Sequence, residues 1–132
     1  MKKLTLLLLL MVSTNVFAEW TLIDNNEVTG TTAYVDFKTI RKKGNNNVKL
    51  WGLNDFKTER TIETEGKHFL SSKYHMRFNC NNETNSLLDI VFYSKNMGQG
   101  DLVHRVFNNF YEMSVEPDSN YETLFKIACG KK

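Results

Sequence analysis

The stretch Ser119-Asn120-Tyr121-Glu122-Thr123-Leu124-Phe125-Lys126-Ile127-Ala128-Cys129 decides how this chain folds. Ser119 and Glu122 stand at the spacing of a capping box, in which hydroxyl and carboxylate each take a backbone N–H that the start of a helix leaves without a partner. Pro117 just upstream discourages an earlier start. Tyr121, Leu124, Phe125 and Ala128 recur on one helical face, and Gly130 occupies the place of a left-handed C-terminal cap. A helix of roughly ten residues is about 15 Å long and marginal alone in water. Its apolar stripe must therefore cover something, and Cys129, on the same stripe, offers a bond to hold it there.

Whether that bond forms depends on the compartment. Met1-Lys2-Lys3 precedes an apolar run over residues 4–12 and then Val16-Phe17-Ala18, the pattern of a secretory signal cleaved after Ala18. Residues 1–18 are expected to be that signal and residues 19–132 a single domain. The run is well short of the roughly 20 apolar residues that span a bilayer, which speaks against a membrane anchor, so no transmembrane segment is expected after cleavage. Loss of Lys2 and Lys3 leaves 15 basic against 15 acidic residues, a formal charge of zero. Nothing in the bulk charge then favours nucleic acid. Export also exposes Cys80 and Cys129, the only cysteines, to oxidation, and only one pairing is available to them. Closing a loop of roughly 50 residues removes unfolded-state entropy worth on the order of 4 kcal/mol. The alternative, a redox or metal pair, lacks a CxxC or a second ligand cluster.

Ahead of the helix, six segments read as strands: 19–24, 31–36, 48–56, 72–80, 86–94 and 102–107. The clearest alternation is Tyr74, Met76, Phe78 and Cys80 on one side against Lys73, His75, Arg77 and Asn79 on the other. It points Cys80 to the buried face, where the helix would bring Cys129. Residues 36–43 read as a turn of helix, and 57–66, alternating Thr with charged residues, as an exposed mobile loop. Met97-Gly98-Gln99-Gly100 reads as a turn. Residues 108–116 read as a connection whose Phe110 and Tyr111 lie on the sheet. Strands first and one helix last predict an α+β fold, an antiparallel sheet with the C-terminal helix packed on one face and tethered by the disulfide.

Catalytic chemistry finds no foothold. His68, His75 and His104 are scattered without metal-ligand spacing, and no nucleophile elbow exists. Gly98-Gln99-Gly100 lacks the helix start that a phosphate-cradling loop needs. Asp89, in an apolar strand, is expected to meet solvent or a hydrogen-bond donor. Neither a cofactor nor a metal is expected, and the protein is read as a non-enzyme. The constellation suited to an acidic or sulfated partner is the row Lys73, His75 and Arg77, extended by Lys95 and Arg105 if their strands are neighbours. An ordinary solvated strand face has the same appearance.

Several segments together resemble the surface-adhesin protein E family: Glu19-Trp20, Tyr34-Val35-Asp36 with Thr39-Ile40-Arg41, and Trp51-Gly52-Leu53-Asn54-Asp55-Phe56-Lys57. They continue with Ser71-Ser72-Lys73 leading to Cys80, Tyr93-Ser94 with Met97-Gly98-Gln99-Gly100, and Glu122-Thr123-Leu124-Phe125-Lys126 ending at Cys129. The resemblance implies a six-stranded antiparallel sheet whose concave side holds the C-terminal helix. It also implies a bacterial envelope protein binding host matrix or serum proteins such as vitronectin, laminin and plasminogen, and a homodimer. The family's adhesin is lipid-anchored, whereas this chain has no cysteine at the cleavage site. The expected location is therefore the periplasm or the cell surface, exported and without a lipid anchor. A periplasmic protein that binds a small ligand or inhibits an enzyme is the alternative function.

Overall fold

The computed structural model describes residues 19–107 and 111–130. The expected export signal, Phe110 and the Lys131-Lys132 tail lie outside them. Six strands follow one another as neighbours: β1 (Thr21–Asn26), β2 (Thr31–Lys43), β3 (Asn47–Ile62), β4 (Lys67–Asn79), β5 (Thr84–Tyr93) and β6 (Leu102–Phe107). Each pairs antiparallel with the next. A short seventh strand, β7 (Met113–Ser114), pairs with Thr84 and Asn85 and prolongs the edge of β5 that β6 occupies further along. The chain ends in α1 (Asn120–Cys129).

The alternation of β4 governs the layering. Tyr74, Met76 and Phe78 are buried together with Val35, Val48 and Leu50, and Leu124, Phe125 and Ala128 of α1 close this core from above. The rings of Phe78 and Phe125 meet edge-on at 6.1 Å. Ser119 caps the helix by accepting the N–H of Glu122 at 3.3 Å, while the Glu122 carboxylate turns instead to Lys126 at 3.2 Å, so only half of the expected capping box forms. Gly130 closes the helix with φ of 64°. Cys80, one residue past β4, is bonded to Cys129 across a Cα–Cα distance of 5.5 Å. The disulfide thus clasps the helix to the sheet as its two periodicities predict. Tyr121 sits at the margin of the packed stripe and is 45% exposed.

Three expectations need correction. Residues 36–43 do not turn into helix: β2 continues to Lys43 through a bulge between Asp36 and Arg41. Local polar bonds produce the misleading signal, since Asp36 Oδ1 accepts the N–H of Lys38 and the Thr39 hydroxyl donates to the Asp36 carbonyl, as at a helix start. The Thr39 Oγ then accepts the Trp51 N–H at 2.9 Å, bridging to β3 from the bulge. Residues 57–66 are not a loop either; they form the end of β3 and the turn into β4, with Arg60, Thr61 and Ile62 opposite Phe69, His68 and Lys67. This arm carries polar residues because much of it is exposed, and strand pairing rather than burial orders it. Tyr111, finally, is 88% exposed and does not lie down on the sheet.

Candidate functional site

With α1 on one face of the sheet, the other face is where strand register gathers the polar residues. Leu53, Lys73, Val91 and Arg105 stand in one row across β3 to β6, and Asp36, Trp51, His75, Asp89 and Phe107 in the next. This helix-free face is not simply a solvated surface. Leu53, Val91, Ser71, Asp36 and Asp89 on it are buried. A shallow cleft of about 350 Å³ opens between Trp20, Thr39, Trp51, Lys73, Tyr93, Leu102 and Arg105.

The loop between β5 and β6 walls one end of this face. The Ser71 hydroxyl, fully buried, donates to the Lys95 carbonyl at 2.5 Å and accepts the Gly98 N–H at 2.8 Å. Asp55 Oδ1 accepts from the Met97 N–H at 2.9 Å and from Asn96 Nδ2 at 3.0 Å. Ser94 fastens the base of the loop by accepting the Asp101 N–H. Gly98, at φ of 69°, lies against Lys73, where a side chain on Gly98 would meet the lysine Cε. The Gly98 amide is therefore committed to Ser71, and the glycine-rich segment is a docked loop rather than a phosphate cradle.

Each candidate cation has a distinct setting. Lys73 Nζ stands 4.9 Å from the centre of the Tyr93 ring and 6.0 Å from that of Trp20, which places a cation between two aromatic walls of the cleft. His75 stacks on Trp51 with centroids 4.6 Å apart and planes 3° from parallel. Adjacent strands are separated by roughly 4.8 Å, so rings stacked at that distance stand edge-up on the sheet. Burial, aided by the charge of Lys49 and opposed by Asp89, lowers the pKa of His75 below its usual value. Arg105 is committed: Nη2 and Nε donate to the two oxygens of Asp89 at 2.7 and 3.2 Å. Its hydrogen bond to that carboxylate raises its pKa, and its guanidinium also lies 4.2 Å from the centre of the Phe107 ring. Asp89 thus meets the hydrogen-bond donor expected of it. Arg77 is exposed, and Lys95 is an exposed residue of the docked loop.

Lys73, His75, Arg77 and Arg105 thus share one face, with Lys95 on the loop at its end. The sequence row missed the aromatic walls Trp20, Trp51 and Tyr93, the buried hydroxyl of Ser71 and the ion-pair role of Arg105. Trp51 could have been placed from the alternation of its own strand; Ser71 and Tyr93 required the docked loop. The histidines are dispersed: His68 Nδ1 is 2.9 Å from the Thr61 hydroxyl and His104 Nδ1 3.3 Å from Glu65. Among the described residues no group of three His, Cys, Asp or Glu side chains could hold a metal ion. No described helix is long and apolar enough to cross a membrane.

An antiparallel sheet with one face closed by a disulfide-clasped helix, and an aromatic-walled cleft on the other, defines a surface-recognition scaffold. The chain belongs to the surface-adhesin protein E family, whose profile matches residues 20–130. Its fold is similar to crystal structures of Haemophilus influenzae protein E. One from a non-typeable strain has 20% identity and a TM-score of 0.60, covering 89% of this chain and 79% of that one. A second crystal form has 20% identity and a TM-score of 0.64, with 89% and 91% covered. A third structure has 21% identity and a TM-score of 0.62, with 89% and 88% covered. No curated protein matches the chain in sequence.

Proposed function

We propose that the protein is a non-enzymatic adhesin of a bacterial cell envelope that recognises host extracellular-matrix or serum proteins through its helix-free face. Membership of the surface-adhesin family supports the class. The observation that carries the choice of face is Lys73, a cation held beside Tyr93 and Trp20 in a cleft open to solvent. Tyrosine and tryptophan in a partly desolvated depression are groups that anchor protein interfaces, and the lysine between them supplies charge that steers and orients an acidic partner. In this reading His75, Arg77, Lys95 and Arg105 form the polar surround, and residues 19–132 are exported without a lipid anchor. A homodimer fits the outer strand β6, whose Leu102 and Phe107 are exposed.

The experiment is binding of the exported protein to immobilised matrix and serum proteins, comparing wild type with Lys73→Glu, alongside protease shaving of intact cells. Saturable, salt-sensitive binding lost in the variant, with the protein shaved from cells, supports the adhesin. Binding unchanged by Lys73→Glu removes the cleft from the site. The second reading, a periplasmic small-ligand binder or enzyme inhibitor, is favoured by the cleft's size, about 350 Å³, which is at the lower end of ligand pockets. It requires a protein that survives shaving.

A further inference from the structure

Away from the cleft, the helix-free face carries a row that the fold itself does not require. Register sets Arg41 opposite Lys49 and Lys49 opposite Arg77, one cation on each of β2, β3 and β4. With neighbouring strands roughly 4.8 Å apart, the three backbone positions span about 10 Å in a straight line. Lys43, two residues beyond Arg41 on β2, adds a fourth cation on the same face. Like charges directly opposite one another destabilise a sheet. Among the described residues none of Arg41, Lys49 and Arg77 has a carboxylate within ion-pair reach. Of the two buried acids on this face, Asp89 is already held by Arg105 and Asp36 accepts the Lys38 N–H. Arg41 is fixed in place, its Nη1 donating to the carbonyls of Lys38 at 2.7 Å and Ile40 at 2.9 Å.

The surroundings of the row indicate the chemistry of its partner. On one side lie Asn47 and Asn79, opposite each other; Asn79 Oδ1 already accepts the N–H groups of Asn81 and Asn82, which leaves its Nδ2 to donate, while the Asn47 amide can do both. On the other lies the edge-up pair Trp51 and His75. Amides suit hydroxyl groups, and three cations on a rigid sheet suit anions repeated along a chain. A bilayer would instead call for several apolar side chains beside the cations, where this face has Trp51, already stacked on His75, with Asn47, Asn79 and the buried Ser86.

We propose that Arg41, Lys49 and Arg77 form a binding site for a linear sulfated polysaccharide. The cations pair with successive sulfates, and Asn47 and Asn79 bond the sugar hydroxyls between them. The polyanion supplies the countercharge that relieves the repulsion along the row. The site rests on strand register and shares only Arg77 with the surround proposed for the cleft.

The test uses the full exported protein with heparin as the sulfated probe, fully desulfated and N-acetylated heparin, which keeps only its carboxylates, as the unsulfated counterpart, and phosphatidylglycerol vesicles as an anionic surface. Wild type should bind heparin at about 0.15 M salt, more weakly as salt rises, and should ignore the desulfated chain. Lys49→Gln/Arg77→Gln should weaken heparin binding by about tenfold or more, whereas Lys126→Gln, on the helix, should not. The double variant should melt no lower than wild type, because it removes facing like charges. Heparin binding unchanged in the double variant, or no heparin binding by wild type, overturns the proposal. So does tighter binding to the vesicles than to heparin. The two readings fail separately: matrix-protein binding in Lys73→Glu bears on the cleft, heparin binding on the row.

Discussion

The ring of Tyr74 occupies the space that any side chain on Gly52 would need: a Cβ placed there would stand 2.3 Å from the tyrosine Cζ and 2.4 Å from its hydroxyl oxygen. The two residues face each other across β3 and β4, on the side that α1 covers. Glycine in a central strand weakens pairing, so its presence marks a close approach that nothing larger permits. Tyr74 is buried, and burial raises its phenol well above the usual pKa, so the ring acts as a neutral filler of the core.

Gly52→Ala should therefore destabilise the domain by about 1–3 kcal/mol, the range for overpacking a well-filled core. Urea unfolding followed by tryptophan fluorescence measures this, since Trp51 is the neighbouring residue. A midpoint equal to that of wild type would mean that Tyr74 moves aside freely and that the close packing here is incidental.

The bond between Cys80 and Cys129 makes a short helix into a fixed cover. Cys129→Ser should lower stability by about 4 kcal/mol in the chain-entropy account, because residues 80 and 129 close a loop whose freedom returns only to the unfolded chain. Thermal melting of wild type with and without reductant, compared with the variant, checks both magnitude and cause. Reduced wild type and Cys129→Ser should melt together; if the variant melts like the oxidised protein, the clasp contributes nothing.

How far the fold was readable follows from which interactions are local. The helix, its Ser119 cap and its Gly130 stop lie within a dozen residues, and the alternation of β4 encodes which way Cys80 points. By contrast, the Asp36 and Thr39 side chains imitate a helix start within β2, and their true role depends on Trp51 in the next strand. The arm at residues 57–66 is paired in space but mostly exposed, so it leaves no periodic apolar signal. The basic candidates were visible as a row of alternating residues, whereas their partners were not. Asp89 reaches Arg105 across β5 and β6, and Lys73, in the middle of the chain, reaches Trp20 at the start of the described residues. Side-chain pairing between distant segments is set by register, and the bulges in β2 to β6 shift register where composition gives no warning.

His75 makes stability depend on mild acid. Its folded pKa is lowered by burial and by Lys49, with Asp89 opposing, so the unfolded chain takes up its proton more readily. The stabilisation is complete above the unfolded value of about 6.5 and is lost as the pH falls through it towards the folded value. Glu65, held below its usual range first by Lys67, acts only at lower pH. Wild type should lose melting temperature between about pH 7.5 and about pH 5, and His75→Gln should lose less over the same interval. Identical losses in the two proteins would assign the acid sensitivity to other groups.

Ser71 tests whether the loop between β5 and β6 is ordered by docking. Its buried hydroxyl satisfies the Lys95 carbonyl and the Gly98 amide together, and Ser71→Ala leaves both without that partner while altering little volume. Stranding buried backbone groups costs about 1–3 kcal/mol. Asn96 still donates to Asp55 and to the Phe56 carbonyl, so the loop has a second hold and the sheet beneath it keeps its own ladder. The damage should therefore concentrate locally: amide exchange at Gly98 and Gln99 should accelerate well beyond that of β3 and β4. Because Gly98 lies against Lys73, loosening the loop should also weaken any ligand held in the cleft, more than its effect on global stability accounts for. Uniform acceleration of exchange across the sheet would instead make Ser71 a general core residue and leave the loop ordered by Asp55 alone.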